Sequence, residues 1–420
     1  SRFEQAARGN KSELSIIESG GTSGDYQNIM FIEAARALKI RRPNDVIFIM
    51  VSYLPVPSKL GEKKTRPTQN AIHQLASYGV TADIIIGRST IPLDQKRKEK
   101  IAAACNILPS RVISAPDIES IYDVPINFDH DHLGDILLEA LELPAGKKTQ
   151  DLNIWKKLAR GIKNHSKNEV AIGIVGKYFN TGDFILSDSY LSVLEAIKFS
   201  AYANGVKAVI HTVNARDFES KKPIPQNRPK DDLRNRTKPD FSALDKFDGI
   251  IVPGGFGESG IEGKLNVIRH ARENKIPYFG LCYGMQLMIV EFARNVLGLK
   301  GAHTAEIDRR APHLVVDIMP DQKKKMAEGD YGGSMRLGSY PAKIVKGTLA
   351  AGAYGKKIVR ERHRHRYEVN PKYIDRLEKG GLVFSGKSPD GVLMEIAELP
   401  AEAHPFFLGT QFHPEFQANP

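Results

Sequence analysis

A cysteine flanked by glycines carries the clearest chemical signal in this sequence. In the segment Gly280-Leu281-Cys282-Tyr283-Gly284, an apolar run ends at the cysteine and a segment of helical periodicity follows. This pattern is typical of a nucleophile elbow, in which a strand turns sharply into a helix and the flanking glycines let the two backbones approach. The expected chemistry is nucleophilic attack by the cysteine thiolate.

Two further segments could complete such a site. The glycine-rich turn 253–257 follows an apolar run and could present backbone N–H groups to an oxyanion. His413 follows another apolar run, and Glu415 lies two residues further on, which supplies a base and a carboxylate to orient it. Each segment alone has an ordinary structural explanation. Their occurrence together, at the ends of predicted strands, favours a catalytic site.

The elements that must position these residues alternate between strands and helices. Branched aliphatic runs predict strands, and apolar positions three to four residues apart predict helices. The predicted strands are 14–18, 46–51, 82–87, 169–176, 208–213, 249–252 and 276–279, and the predicted helices include 69–78, 190–201 and 263–273. The alternation predicts an α/β fold of two domains, each with a mostly parallel sheet flanked by helices.

Composition suggests where one domain ends and the next begins. We expect a first domain over residues 1–145, a polar, lysine-rich linker over 146–168 and a second domain over 169–420. The charged, proline-containing stretch between 215 and 240 is predicted to be a surface loop, and its composition leaves its role open.

Charge and cysteine content narrow the class of protein. The net charge is +11, but the basic residues are spread along the chain without interleaved aromatics, so we expect no nucleic-acid partner. Nucleotide substrates explain the charge as well as a solvated surface does. The two cysteines, Cys105 and Cys282, form neither a disulfide framework nor a zinc cluster. With no membrane-length apolar run and no signal pattern, we expect a cytoplasmic protein without membrane contact.

The segments PGGFG, GLCYGMQ and QFHPE together resemble the class I glutamine amidotransferases. A narrower resemblance, to the CTP synthase family, is carried by residues 360–370, residues 332–338 and the first domain. It implies that this chain folds as a partial P-loop-like synthetase domain followed by the amidotransferase domain. The resemblance implies that Cys282 hydrolyses glutamine through a thioester, with His413 as general base and Glu415 as its orienter. It also implies glutamine contacts by Gly255, which is the oxyanion donor, and by Phe256, Gln286, Glu306 and Arg366.

The same resemblance implies a nucleotide site in the first domain. Glu18 would ligate Mg²⁺, and Asp25 would face the pyrimidine nucleotide. The segment KTRPTQ at 64–69 resembles the part of the family that cradles the phosphates of UTP. The implied UTP and CTP contacts are Asp25, Lys64, Thr65, Arg66, Gln69 and Lys100. Arg336 would belong to a lid that closes when GTP activates the enzyme.

By resemblance, the reaction is CTP synthesis in a homotetramer, activated by GTP and inhibited by CTP. ATP would phosphorylate O4 of UTP, and ammonia from glutamine would displace the phosphate. The family's glycine-rich ATP loop and closing helix are not found, which predicts a fragment limited to glutamine hydrolysis. The alternatives are a stand-alone glutaminase or another class I amidotransferase, and a nucleotide-binding scaffold without catalysis. The first-domain motifs argue against a simple glutaminase, and the complete Cys-His-Glu set argues against an inactive scaffold.

Overall fold

The chain forms two compact units, Ser1–Asn164 and His165–Pro420. The computed structural model describes residues 2–9, 12–57, 64–118, 120–144, 151–163, 168–176, 190–219, 239–318 and 335–419. Both units combine β-sheets with helices, so the α/β prediction is confirmed. Among the described residues, no helix is long and apolar enough to cross a lipid bilayer.

The first unit contains a parallel sheet. Its strands β1 (Ile49–Tyr53), β2 (Ile84–Ser89) and β3 (Val112–Pro116) lie in the order β1-β2-β3. Leu54, Ile85 and Ile101 belong to one buried apolar cluster, and Ile84 and Ile113 to another. Its helices are α1 (Arg2–Gly9), α2 (Tyr26–Arg41), α3 (Arg66–Ser77), α4 (Gln95–Cys105), α5 (Val124–His130), α6 (Leu133–Ala140) and α7 (Asp151–Lys163).

Three predictions for the first unit need correction or completion. The predicted strand 14–18 has no strand beside it within the described residues, and Ile16 is 91% exposed. A strand needs a neighbour for its N–H and C=O groups, so apolar residues alone do not create one. The strand predicted over 46–51 begins only at Ile49, and burial alternates along it. Helix α7 lies in the stretch predicted as a linker, where Trp155 Nε1 donates to the Tyr122 carbonyl at 2.6 Å.

The second unit is built around a mixed sheet of nine strands in the order β11-β10-β13-β14-β15-β7-β6-β4-β5. From β15 to β5 neighbouring strands run parallel, and from β15 to β11 they run antiparallel. The strands are β4 (Glu169–Gly176), β5 (Lys207–Asn214), β6 (Gly249–Val252), β7 (Tyr278–Leu281), β10 (Arg336–Ile344), β11 (Ile358–His365), β13 (Val383–Lys387), β14 (Met394–Glu398) and β15 (Phe407–Thr410). The four predicted strands of this unit are confirmed within about two residues, whereas the antiparallel half was not predicted.

Among the described residues of this unit there are also a small second sheet and five helices. The sheet has the order β12 (Tyr367–Val369), β9 (His313–Ile318) and β8 (Ala302–Thr304). The helices are α8 (Leu191–Ala203), α9 (Ile261–Glu273), α10 (Tyr283–Asn295), α11 (Leu349–Tyr354) and α12 (Pro371–Lys379). Residues 283–293 of α10 are all buried, including Met285 and Phe292, so the helix is held rigidly on every side.

Three neighbouring parallel strands bring the predicted chemical segments together. β6 ends directly before the turn 253–257, β7 ends directly before Cys282, and β15 ends three residues before His413. In the sheet, Gly280 pairs with Val252 and Leu281 pairs with Thr410, so the three carboxyl ends are level. Ligand sites in parallel sheets form at this edge.

The segment after β15 then lies along the outer edge of β11. The backbone N–H of His413 donates to the Arg362 carbonyl at 2.8 Å, and Gln417 Nε2 donates to the Arg360 carbonyl at 2.8 Å. The predicted surface loop between 215 and 240 falls mostly on residues 220–238, outside the described part of the chain. The same is true of Gly332, Gly333 and Ser334, which begin the predicted lid segment.

Candidate active site

Cys282 occupies a sharp turn between β7 and α10. Its backbone has φ 51° and ψ −98°, a conformation that side chains rarely adopt. A Cβ added to Gly284 would lie 2.1 Å from the Val252 carbonyl oxygen, and one added to Gly280 would lie 2.7 Å from the Gly284 carbonyl carbon. Only glycine therefore fits at these two positions, as expected of a nucleophile elbow. The Cys282 N–H donates to the Thr410 carbonyl at 2.6 Å, which ties the elbow to β15.

The imidazole of His413 links the cysteine to a carboxylate. Its Nδ1 lies 2.7 Å from Oε1 of Glu415, which leaves Nε2 to face Cys282. The ring stacks on Phe416 with 4.6 Å between ring centroids. Burial alone would lower the pKa of His413, but its hydrogen bonds and charge interactions with Cys282 and Glu415 outweigh burial and raise the pKa to about 10. The arrangement therefore favours the charged imidazolium form of His413 beside the cysteine sulfur.

A second layer of contacts fixes the segment that carries Glu415. Tyr354 donates from its hydroxyl to Glu361 Oε1 at 3.0 Å, and Gln417 Nε2 donates to the other oxygen of Glu361. Burial raises the pKa of Glu361, and the nearby charge of Glu415 raises it further. Sequence reasoning missed this support because its members come from a helix, a strand and the end of the described chain.

The glycine-rich turn closes the other side of the histidine. A Cβ on Gly254 would lie 2.7 Å from Cε1 of His413, so this glycine makes room for the ring. Gly254 was not predicted as a site residue, although it lies in the predicted turn. Gly257 donates its N–H to Glu306 Oε1 at 3.1 Å and accepts at its carbonyl from the Tyr283 hydroxyl at 3.3 Å. Gly255 and Phe256 lie between Gly254, which contacts His413, and Gly257, which contacts Glu306 and Tyr283. The side chain of Phe256 is 68% exposed.

Gln286 lies behind the cysteine, one turn into α10. Its Nε2 donates to the Tyr367 carbonyl at 3.0 Å and to Gln411 Oε1 at 3.3 Å. Arg366 directly precedes Tyr367, at the corner between β11 and β12. The structure thus brings Gln286 and the Arg366 backbone into one region beside Cys282.

Arg336 lies at the start of β10 rather than in a loop. Its side chain is 9% exposed, with Nη2 2.8 Å from Glu395 Oε1 and Nη1 3.4 Å from Glu368 Oε1. His363 Nε2 lies 3.8 Å from Glu395 Oε2, and His365 Nδ1 lies 3.5 Å from Glu368 Oε1. We call these five side chains the buried ion cluster.

Burial shifts the pKa values of the carboxyl and imidazole groups in the buried ion cluster. It raises the pKa of Glu368 to about 8, helped by the charge of Glu395 and opposed by Arg336. It lowers the pKa of His363 to about 3, with Arg336 and His413 adding to the effect, and it also lowers the pKa of His365. The cluster therefore holds neutral histidines at neutral pH, and Arg336 is its main positive charge.

The predicted nucleotide residues of the first unit fall into two groups. Thr65 directly precedes α3, Arg66 is its first residue and Gln69 Nε2 lies 3.5 Å from the Lys100 carbonyl. The backbone N–H of Lys64 donates to the Pro55 carbonyl at 3.0 Å. These residues are therefore close together at one end of α3.

Asp25 and Glu18 belong together only by their place in the sequence, before α2. Asp25 precedes α2, and the backbone N–H and hydroxyl of Thr22 each donate to its carboxylate at 2.8 Å, which lowers the pKa of Asp25. Ser23 reaches Gln74 of α3 at 3.4 Å. Glu18 is exposed in an irregular segment. Within the described ranges, no three histidine, cysteine or acidic side chains are grouped to hold a metal ion.

Known sequence families match both units. The family described as CTP synthase N-terminus matches residues 1–143, and that described as glutamine amidotransferase class-I matches residues 185–420. The CTP synthase of Thermococcus gammatolerans is 46% identical over 410 residues, which make up 97% of this chain and 71% of that protein. The CTP synthase of Carboxydothermus hydrogenoformans is 44% identical over 420 residues, or 100% of this chain and 73% of that protein.

A solved structure is similar to the second unit. The glutaminase domain of Trypanosoma brucei CTPS with bound acivicin matches with a TM-score of 0.50 and 37% identity, covering 60% of this chain and 88% of that one. The chain therefore belongs to the CTP synthase family and contains both its synthetase part and its class I glutamine amidotransferase part.

Proposed function

We propose that this chain releases ammonia from glutamine at Cys282, with His413 as the acid–base group and Glu415 as its orienting partner. The family to which it belongs consists of glutamine-hydrolysing ligases that make CTP from UTP, ATP and glutamine. The observation that carries the proposal is the contact of one imidazole with both Cys282 and Glu415 at a nucleophile elbow.

In the first half of the reaction, the Cys282 thiolate would attack the side-chain amide carbon of glutamine. The new C–S bond places negative charge on the amide oxygen, and backbone N–H groups of Gly255 and Tyr283 are suited to stabilise it, since the first N–H groups of a helix have no partner within the helix. The His413 imidazolium then gives its proton to the amide nitrogen. The C–N bond breaks, ammonia leaves and a thioester remains.

In the second half, neutral His413 would accept a proton from water as the water oxygen attacks the thioester carbon. The C–O bond forms, the C–S bond breaks and glutamate leaves, which regenerates the thiolate and the imidazolium. Glu415 stabilises the charged imidazole in both halves because its carboxylate accepts at Nδ1.

The surrounding residues suggest how glutamine would be held. Gln286 Nε2 donates both of its N–H groups to protein oxygens, so only its Oε1 is left to accept from an N–H of the substrate. Arg366 suits the substrate carboxylate because a guanidinium can bind it through two parallel hydrogen bonds. Glu306 would accept from the ammonium group, and Phe256 would pack beside the substrate.

For the first unit, we propose that Lys64, Thr65, Arg66, Gln69 and Lys100 bind the phosphates of UTP or CTP and that Asp25 contacts the pyrimidine nucleotide. The N-terminus of α3 supports this role, because helix N-termini favour bound anions. Mg²⁺ commonly takes one or two carboxylates plus nucleotide phosphates. Glu18 would fit as such a carboxylate, with no dedicated metal cage. Bound Mg²⁺ would neutralise phosphate charge.

The finer properties implied by the family are also proposals for this chain. They are use of Mg²⁺, activation by GTP with participation of Arg336, inhibition by CTP, assembly as a homotetramer and a cytoplasmic location. The two cysteines of the chain, both unpaired and buried, agree with a reducing compartment.

The test of the glutaminase proposal is the rate of glutamate formation from glutamine. Cys282→Ala should abolish it, because alanine supplies no nucleophile. The matched control is Cys105→Ala, since Cys105 is buried in the first unit with its thiol donating to the Ala82 carbonyl. Cys105→Ala should keep the rate within about twofold. A Cys282→Ala rate equal to that of the unmodified chain would overturn the proposal.

The nucleotide proposal is tested by calorimetric titration of UTP. Lys100→Gln should weaken binding about tenfold, as expected for loss of one phosphate contact. Lys96→Gln provides the control, because it removes the same charge from an exposed position on the same helix, α4. Equal weakening by both variants would mean that only net charge matters.

A further inference from the structure

The side chain of Gln411 lies beside the sulfur of the nucleophile. The residue follows β15 and is fully buried, with Nε2 3.7 Å from Cys282 Sγ. Its own N–H donates to the Glu395 carbonyl at 2.8 Å. The preceding residue, Thr410, accepts from the Cys282 N–H. The end of β15 therefore contacts both the backbone and the sulfur of the nucleophile.

The hydrogen bonds fix which end of the Gln411 amide faces the sulfur. A backbone carbonyl can only accept, so the Gln286 atom 3.0 Å from the Tyr367 oxygen is Nε2. That nitrogen can only donate, so the Gln411 atom 3.3 Å away must be Oε1. The remaining end of the Gln411 amide, which faces Cys282 Sγ, is then the N–H₂ donor.

From this chain of contacts we infer that Gln411 is a further catalytic residue, whose side-chain amide donates to Cys282 Sγ and stabilises the thiolate, and that Gln286 is the positioning residue of that amide. The inference rests on the proposed glutamine hydrolysis at Cys282. Sulfur carries negative charge before it attacks glutamine and again when it leaves the thioester. A buried donor stabilises the sulfur in both states, because a hydrogen bond to a charged group is stronger than one to a neutral group.

The donor acts together with the histidine. His413 interacts directly with Cys282 and Glu415, and the neutral His363 and His365 each interact electrostatically with His413. Removing the Gln411 donor leaves the imidazolium as the main stabilising partner of the thiolate. The thiolate should then form only at higher pH, and the variant should recover when the pH is raised.

The experiment measures inactivation by iodoacetamide and glutamine hydrolysis between pH 5 and 10. Gln411→Met removes the donor at similar length, and it should move the midpoint of the alkylation profile upward by about one unit and lower kcat/KM at pH 7 about tenfold. Gln411→Glu keeps the shape and places a carboxylate near the sulfur, so its shift should be larger. Both variants should approach the unmodified chain at high pH.

Ser385→Ala is the control, because Ser385 is fully buried in strand β13 of the same sheet, which strand β14 separates from β15. Its alkylation midpoint should equal that of the unmodified chain. Gln411 variants that lose activity equally at every pH, or whose midpoint stays in place, would overturn the inference. If alkylation of Cys282 leaves glutamine hydrolysis intact, the proposed function itself fails, which is a separate result.

Discussion

Arg336 donates from Nη2 to Oε1 of Glu395 over 2.8 Å, with the carboxylate side chain fully buried and the guanidinium nearly so. The same guanidinium reaches Glu368 from Nη1 and stacks on the Tyr340 ring, 4.6 Å from its centroid. One cation therefore joins strands β10, β12 and β14 within the segment predicted to be a lid. The contribution of Arg336 to folding stability must therefore be measured separately from any role in activation by GTP.

Arg336→Leu should lower the free energy of unfolding by about 3–5 kcal/mol, because it leaves two buried carboxyl groups without their cation. Urea unfolding at pH 7 measures the change. The control is Lys207→Ala, since Lys207 pairs with Glu169 at 2.6 Å but both side chains are about half exposed. That pair should contribute less than about 1 kcal/mol. Equal effects of the two substitutions would contradict a buried ion cluster.

Glu368 should make the protein less stable as the pH rises. Its pKa is raised to about 8 in the folded state, whereas an unfolded glutamate ionises near 4.3. Between these values, unfolding releases a proton, so the stabilising contribution is complete below about pH 4 and is lost as the pH rises through 8. Glu368→Gln should flatten this decline, by up to about 1.4 kcal/mol per pH unit, because the neutral amide resembles the protonated acid.

Urea unfolding of both proteins at pH 5, 6.5, 8 and 9 tests this expectation. The difference in the free energy of unfolding should grow in favour of Glu368→Gln toward pH 9. Glu378→Gln provides the comparison, because Glu378 lies on the surface helix α12 and pairs with Lys387 in solvent. Parallel pH profiles for the unmodified chain and Glu368→Gln would show that Glu368 ionises normally.

Gly284→Ala should disrupt the elbow. The new Cβ would lie 2.1 Å from the Val252 carbonyl oxygen, and neither backbone can withdraw without moving Cys282. We expect a loss of about 1–3 kcal/mol in stability and at least about 100-fold in glutamine hydrolysis. Gly352→Ala is the matched control, because Gly352 lies in helix α11 with no atom within 4 Å of the added Cβ. It should leave activity unchanged and add up to about 1 kcal/mol of stability.

Glu415→Gln should move the alkaline limit of glutamine hydrolysis to lower pH. The hydrogen bond and charge of Glu415 help to raise the pKa of His413 to about 10, so an amide in its place lets the imidazolium lose its proton earlier. The rate at pH 8 should fall by about 10²–10⁴-fold, since the imidazole also loses its orienting partner. Values of kcat/KM for glutamine from pH 6 to 10 test this. An alkaline limit that stays in place would exclude Glu415 as the partner that sets it.

Local sequence was sufficient to predict the elbow and its partners. Two short patterns were enough: Cys282 lies between two glycines, and His413 lies two residues before Glu415. The parallel strands that bring them together are apolar runs of ordinary length. The structure adds what these short patterns cannot contain: the depth of burial, the contact of Gln411 with the sulfur and the role of Gly254 in making room for the ring.

Contacts between distant segments could not be predicted in the same way. Arg336 meets Glu368 and Glu395 across 32 and 59 residues of sequence. The alternating arginines and histidines of β11 resemble a solvated basic face, yet His363 and His365 point inward while Arg362 and Arg364 are exposed. Burial of every second side chain is a property of the strand, and the antiparallel half of the sheet had not been predicted. The strand predicted over 14–18 was wrong because the apolar run has no neighbouring strand among the described residues.

The segment 413–417, which carries His413 and Glu415, also affects the tendency of the protein to aggregate, because it contacts β11. β11 is the last strand of the nine-stranded sheet, and an open edge invites pairing with another chain. The carbonyls of Arg360 and Arg362 are already occupied by Gln417 and by the backbone of His413, and their charged side chains are exposed. The segment that supplies the acid–base group therefore also shields this edge, so a change that detached it would cost solubility as well as catalysis.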